Sequence, residues 1–573
     1  PEEGTPTVAH HPSVPRHADL SWLDSPSSTW VERAAREALH NYASVYIAYL
    51  LVIVGLGSLV LSIGSELSVS QSVFTAFSAV TQSGLAVADF ADASMLTHVV
   101  VFVLIILGSP VLLTLAPVML RRFAFHSLKR WCQNTGRQAP NSDEDGALKI
   151  LCRIVLGFWF CTELLGFLLL LNVDFSRHNG KPTAWNALFM TTSAFQNTGL
   201  ALTPSSLEPV NQNPFVLYVM SLLIILGNTA VPICLRVIAV LVFRWTRAGS
   251  SRREHLAFLL KEPRRCYTHL FSPLNTLWLA FMLVALLLFQ IFIIAWLDWN
   301  SPELAQFTDP QVRFANVFFQ AASTRTAGLN SVTLQNLSLV TNFVIMVCMY
   351  ISTSPIVVTM RATNVKYEQV DSNNTDSVRS QALTYFTQHG AILVVLHLAI
   401  MLLESEKMAS SSEPCDSMVS CDLRARFSFF KVMFEIVSAY GTVGLSLGST
   451  YVKNSFCEDW SVPSQLLLCG VMVLGRTRDL PLSIDHAFKM HWDRADHAEF
   501  FMKTVESWEK MSAKATTFQW MSEAKLHTWK EYFSMLHNSS SRDDDNVKHC
   551  ATAPLMQGHS DELDEDLIRQ ASM

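Results

Sequence analysis

Hydrophobic and polar positions along the chain follow a long, short, long pattern that recurs four times. Apolar runs of about the 20 residues needed to cross a bilayer occupy 43–63, 96–120, 148–173, 215–243, 274–297, 337–360, 382–403 and 464–480. Between the members of each successive pair lies a shorter apolar run, at 71–80, 185–195, 312–324 and 427–440. These runs are too short to span, so they predict re-entrant helices that stop at membrane depth. Irregular backbone at that depth must be covered by protein or by a water-filled cavity. The pattern therefore predicts an all-α membrane protein with four span–pore-helix–filter–span repeats around one central pore. It contains eight full transmembrane helices plus four re-entrant pore helices.

Each short run ends on a Gly-Leu pair. The fourth reads Ser438-Ala439-Tyr440-Gly441-Thr442-Val443-Gly444-Leu445-Ser446, and its Thr-Val-Gly resembles the core of a potassium-channel filter. The other three carry Gln82-Ser83-Gly84-Leu85, Asn197-Thr198-Gly199-Leu200 and Thr326-Ala327-Gly328-Leu329. A filter strand turns successive carbonyls to one side, which needs backbone dihedrals that glycine adopts without steric cost. Gly84, Gly199, Gly328 and Gly444 recur every 115 to 129 residues, as expected for one ring built from internal repeats. They and their neighbours just named are the candidate ion site, with K+ at the four glycines.

The polar stretches set the boundaries. Residues 1–42 read as an N-terminal tail without a signal-peptide core, 43–120 as the first repeat, 121–147 as a loop, and 148–243 as the second repeat. A basic loop at 244–271 precedes the third repeat at 272–361, a loop at 362–381, and the fourth repeat at 382–487. The tail 488–573 is polar, with Trp492, Trp508, Trp520 and Trp529 among charges, and its expected form is amphipathic helices. Basic residues such as Arg121, Arg122, Arg252, Arg253 and Arg264 crowd the loops between repeats. The filter side instead carries Glu66, Asp89, Asp92, Asp298, Glu303, Asp309, Glu404 and Glu406. By the positive-inside rule the filters face outward and both termini are cytoplasmic, with the plasma membrane as the expected location. The filter-side acids either concentrate cations or are a solvated surface.

Composition agrees: 50% of residues are hydrophobic, 16% are charged, and the mean hydropathy is +0.27. A net charge of −6 with no large basic face excludes nucleic acid as a partner; the lipid bilayer is the expected surrounding. Of the eleven cysteines, Cys415, Cys421 and Cys457 share the fourth repeat's loops, where an oxidising compartment would permit a disulfide. Asn336-Leu337-Ser338 is a glycosylation sequon close to the membrane. No cofactor signature, metal-ligand spacing or nucleophile with a partner is present, so an enzyme is disfavoured.

Three motifs lie outside the filters: Gly227-Asn228-Thr229-Ala230-Val231-Pro232 with Arg236, Tyr350-Ile351-Ser352-Thr353-Ser354-Pro355 with Arg361, and Gly475-Arg476-Thr477-Arg478-Asp479-Leu480-Pro481. With the fourfold filter, they make residues 43–490 resemble the Trk/HKT/Ktr superfamily of potassium and sodium transporters, most closely its eukaryotic Trk branch. The resemblance implies potassium uptake, a homodimer, and a potassium preference from glycine rather than serine at Gly84, with sodium permeation or cotransport left open. Thr-Val stands in the fourth filter alone, a departure from an ideal channel filter. Arg325 is expected to brace the third filter, through pore-helix carbonyls or an acid such as Glu435, or else to repel ions directly. The resemblance makes Arg476 a cation in the path below the filter, against a snorkelling arginine. Pro355 marks a loosened helix and a constriction. The alternatives are a sodium-selective or mixed carrier, and an organic-solute transporter with inverted repeats.

Overall fold

The computed structural model describes residues 42–91, 93–116, 118–119, 122, 142–175, 183–203, 205–351, 355–360, 378–410, 428–448 and 454–478. The two tails, Asp92, Ser352, Thr353, Ser354, Arg361, Cys415, Cys421 and Asp479 lie outside the described residues. From Ala43 onward the described helices belong to one unit, Ala43–Met490. The described residues are helical with no strands.

The first long helix, α1 (Tyr42–Gly64), leads to the short α2 (Val69–Thr81), then α3 (Met95–Leu107) and α4 (Pro110–Ala116). The second group is α5 (Ser142–Leu170), the short α6 (Thr183–Phe195), α7 (Pro214–Gly227) and α8 (Val231–Trp245). The basic segment that follows, expected as a loop, is largely helical and includes α9 (Ser251–Lys261). The third group comprises α10 (Pro273–Asp298), α11 (Pro310–Thr326) and α12 (Leu339–Ile351). The fourth comprises α13 (Val378–Leu403), α14 (Phe429–Gly441) and α15 (Val462–Thr477). A described helix falls within each expected run, but α12 is described only to Ile351 of the anticipated 337–360, with 355–360 helical as well, and α5 starts six residues before the anticipated 148.

Two expected straight spans are broken. α3 and α4 meet at 49°, and α7 and α8 at 81°. At the first break Pro110 opens a new helix without an amide proton to continue the old one. At the second, Pro232 stands in the first turn of α8, and Val231 donates to Asn228 O at 3.1 Å across the corner. Hydropathy registers length and not direction, so both read as continuous. Among the described residues four helices are long and apolar enough to cross a membrane, or six if each bent pair is one span. Within α13, His389–Leu403 is a shorter apolar helix, as is α15.

The short helices α2, α6, α11 and α14 organise the packing. Each packs against the helix that follows it, in the pairs α2–α3, α6–α7, α11–α12 and α14–α15. Each also packs against the corresponding helix of the preceding group, in the pairs α6–α3, α11–α7, α14–α12 and α2–α15. The last pair closes the series on itself, so the four short helices form a ring.

Acids on the expected filter side hold this ring together. Asp298, ending α10, accepts from Ser338 N at 2.9 Å, Ser338 Oγ at 3.2 Å and Thr341 Oγ1, at the start of α12. Glu404, following α13, accepts from Ser461 N at 2.7 Å beside the start of α15, and pairs with Lys407 at 2.8 Å. A carboxylate at a helix N-terminus satisfies amides that lack intrahelical partners and opposes the helix dipole favourably. Glu303 likewise accepts from Thr333 N at 2.8 Å and Asn336 Nδ2 at 2.9 Å. These acids are brackets, a role that neither expectation for them included. Replacing Asp298 with Ala leaves two donors, Ser338 N and Thr341 Oγ1, short of an acceptor, while Ser338 Oγ keeps Thr341 Oγ1 at 2.9 Å. It should cost about 1–3 kcal/mol, read as a lower denaturation temperature in detergent.

Candidate functional site

The four short helices end at Thr81, Phe195, Thr326 and Gly441, and the chain segments that follow meet. A methyl carbon built on Gly84 would lie 3.2 Å from Cα of Gly199 and 3.2 Å from Cα of Gly444. One built on Gly328 would lie 2.8 Å from Cα of Gly444, and one on Gly199 would lie 3.3 Å from Val443 O. The four glycines have φ of 73°, 80°, 67° and 95°, the region that other residues rarely enter. The carbonyl oxygens of Ser83, Thr198, Ala327 and Val443 each lie against the glycine of the preceding strand. All four predicted segments, 82–85, 197–200, 326–329 and 442–445, therefore come together. Leu85, Leu200, Leu329 and Leu445 are buried behind them. The four glycines also line one cavity of about 450 Å³, with Leu200, Asn330 and Ser446 in its wall.

Three strands are built alike. Gln82, Asn197 and Thr442 take left-handed φ of 57°, 58° and 50°. The next amide then reaches back to the carbonyl of a serine in the helix: Ser83 to Ser78 at 2.9 Å, Thr198 to Ser193 at 2.9 Å, and Val443 to Ser438 at 3.0 Å. Left-handed residues two positions apart, with a residue outside the positive-φ region between, swing successive carbonyls toward one side. The third strand differs. One residue fewer separates Ser323 from Gly328 than separates Ser78 from Gly84, so α11 continues through Thr326 and Ala327 keeps φ −107°. Ala327 N and Gly328 N both donate to Ser323 O, at 3.0 and 3.3 Å. Thr326 Oγ1 instead donates to Asn197 Oδ1 at 2.6 Å, joining the third strand to the second.

The serine hydroxyls also strap the strands. Ser193 Oγ donates to Leu200 O at 2.6 Å, Ser323 Oγ to Leu329 O, and Ser438 Oγ accepts from Gly444 N at 3.1 Å. At the cavity rim, the outer loops pair in twos. Ala86 and Ser455 exchange hydrogen bonds of 3.0 and 3.1 Å, and Leu207 N donates to Asn330 O at 3.0 Å. Glu458, beside that rim, is held above the ordinary carboxylate range by burial, and further by the charges of Asp459 and Asp89.

The charged candidates Arg325 and Arg476 both meet main-chain carbonyls. Arg325 is buried and donates to Leu283 O of α10 at 3.4 Å. It forms no ion pair with Glu435, whose Oε1 accepts from Cys457 N at 3.1 Å. Arg476 donates to Gly108 O at the break between α3 and α4. Pro355 lies in helical backbone, described over 355–360, and its carbonyl accepts from Thr359 Oγ1 at 2.7 Å.

Several residues that hold the site were missed. Arg478 donates to Tyr440 O at 3.3 Å and Gly441 O at 2.9 Å, capping the end of α14. Glu163 of α5 accepts from Thr192 of α6 and from Gln196 immediately after it, each at 2.8 Å. Gly108, Gly227 and Gly475 press on the carbonyls of Val80, Phe195 and Tyr440, each four positions before a ring glycine. These glycines follow the ring glycines by 24, 28 and 31 residues, so no constant spacing marked them in the sequence. A lone glutamate inside an apolar helix was the signal for Glu163.

Residues 25–498 match the family model described as TrkH, cation transport protein. The chain is 37% identical over 319 residues to potassium transporter TRK1 of Candida albicans, covering 54% of this chain and 29% of that protein. It is 30% identical over 433 residues to the low-affinity potassium transport protein of Saccharomyces cerevisiae, covering 67% and 46%. It is 31% identical over 383 residues to potassium transport protein 1 of Schizosaccharomyces pombe, covering 65% and 44%. The chain thus spans less than half the length of these curated relatives. Among solved structures it is similar to the potassium transporter TrkH from Vibrio parahaemolyticus, with a TM-score of 0.46 and 13% identity, covering 76% of this chain and 82% of that one.

A methyl group on Gly227 would overlap the Phe195 carbonyl, whereas one on Gly157 of α5 meets open space. Gly227→Ala should therefore destabilise by about 1–3 kcal/mol, and Gly157→Ala should be neutral or stabilising by up to about 1 kcal/mol. Thermal denaturation of the two purified variants in detergent checks the contrast.

Proposed function

Because the chain belongs to the TrkH family of cation transport proteins, we propose that it takes up potassium ions through the ring formed by Gly84, Gly199, Gly328 and Gly444. The observation that carries this reading is the close meeting of four glycine strands, each with a carbonyl turned toward its neighbour. Main-chain oxygens in a ring replace the water shed by a weakly hydrated cation. The C-terminal ends of four short helices precede the ring, and their partial negative charge favours a cation there. The named potassium transporters among its relatives support the same ion. Inward movement is driven by the membrane potential, about 2.3 kcal/mol per elementary charge per 100 mV.

The proposed architecture has four repeats of like orientation. The eight crossings are α1, α3 with α4, α5, α7 with α8, α10, α12 with 355–360, α13, and α15, in a plasma membrane with filters outward and both termini cytoplasmic. The basic charge on α9 and its flanks supports that orientation. A homodimer is part of the same reading. Arg325 braces the third strand through α10, and Arg476, held at Gly108, acts as a cationic barrier beneath the ring. Pro355 lies at the proposed constriction of the third repeat. The third strand's different backbone favours a second reading, in which sodium permeates beside potassium.

Uptake of potassium in cells lacking their own system, with sodium as control, tests the proposal; a sodium-only flux overturns it. Gly84→Ser adds a side chain against Thr198 O and should raise sodium permeability relative to potassium, measured from reversal potentials. Gly444→Arg should abolish uptake while the protein remains in the membrane, checked by surface labelling beside flux.

A further inference from the structure

Glu163 sits within α5, a long apolar helix, where a carboxylate is costly to bury and rarely idle. Both of its oxygens are engaged. Oε2 accepts from Thr192 Oγ1 at 2.8 Å and Oε1 from Gln196 Nε2 at 2.8 Å. Among the described residues no lysine or arginine nitrogen pairs with it. A carboxylate accepts on both sides and donates on neither, so it fixes the hydroxyl and the amide as donors, through charge-assisted hydrogen bonds.

The two donors stand four residues apart at the end of α6, on the face that meets α5. Gln196 is followed at once by Asn197, the left-handed residue that starts the second strand. Asn197 Oδ1 in turn accepts from Thr326 Oγ1 of the third strand, which lacks a left-handed turn of its own. A line thus runs from α5 by hydrogen bonds to Thr192 and Gln196, through the Gln196–Asn197 peptide bond to the second strand, and by a further hydrogen bond to the third.

We propose that Glu163 is a positioning residue for ion selection, fixing the second and third strands of the ring through Gln196, Thr192 and Asn197. This rests on the reading of the ring as the ion path. A side chain that touches no ion then governs how closely two of the four strands approach.

The test compares the full-length protein with Glu163→Gln, Gln196→Glu and the double variant that combines both, reading the potassium-to-sodium permeability ratio and the amount of protein in the membrane. Glu163→Gln places an amide where two acceptors are needed, and Gln196→Glu sets two carboxylates face to face. Each single change should lower the ratio by about tenfold, the scale of one weakened charge-assisted hydrogen bond. The double variant restores one donor facing one carboxylate in the reverse sense, and should return to within about twofold of the wild type. A general loss of structure would not be repaired by that exchange. Unchanged ratios in both single variants, or a double variant no better than either, overturn the proposal. If the single variants fail to reach the membrane, Thr192→Val and Gln196→Met remove the donors while keeping the carboxylate, with the same expectation and the same refutation. A wild type that carries neither ion refutes the transport reading itself. A potassium-preferring wild type whose variants keep its ratio refutes only the role of Glu163.

Discussion

The fold depends on backbone meeting backbone at van der Waals distance in the middle of an apolar protein. Four strands approach so closely at Gly84, Gly199, Gly328 and Gly444 that a single extra carbon on any of them meets a neighbouring carbonyl or Cα. Exposed main-chain polar groups are intolerable at membrane depth unless protein or water covers them. The surrounding helices supply that cover, each short helix wedged between two longer ones. A second tier of close approaches, at Gly108, Gly227 and Gly475, lets the longer helices come near enough to seal the ends of α2, α6 and α14.

Around this centre the polar groups divide their work by location. Carboxylates such as Asp298 and Glu404 join the end of one long helix to the start of another. Arginines act at the opposite polarity: Arg478 caps the carbonyl end of α14, and Arg325 reaches from the end of α11 to α10. Each sign of charge sits at the helix end whose dipole it complements or between helices that it ties. A buried charge is stabilising only when its partners are in place, so these groups lock relative helix positions.

Much of the fold was legible in the sequence because hydropathy reports length and burial directly. The long and short runs, their order and the four glycines followed from it. The bends after Leu107 and Gly227 were not legible, because direction depends on where a proline or an interrupted amide ladder falls and on what packs behind it. The candidate site was legible to the extent that glycine marks positive φ. The partners of Arg325 and Arg478 are carbonyls on other helices, which no spacing encodes. The serine displaced by one position, Ser323 where the other repeats would place it at 322, was visible in the letters themselves; its consequence was not, because it required knowing that the serine carbonyl is the point to which each strand's amide returns.

That altered spacing bears on how such a molecule can be assembled at all. A ring made of four separate, identical chains must give every strand the same length, so any deletion would be imposed fourfold. Covalent linkage of the four segments frees one quadrant to shorten while the others keep their geometry, and it fixes which neighbour must compensate. Pseudosymmetry here is therefore a freedom as well as an inheritance: the side chain of Thr326 reaches across to Asn197 of the neighbouring strand.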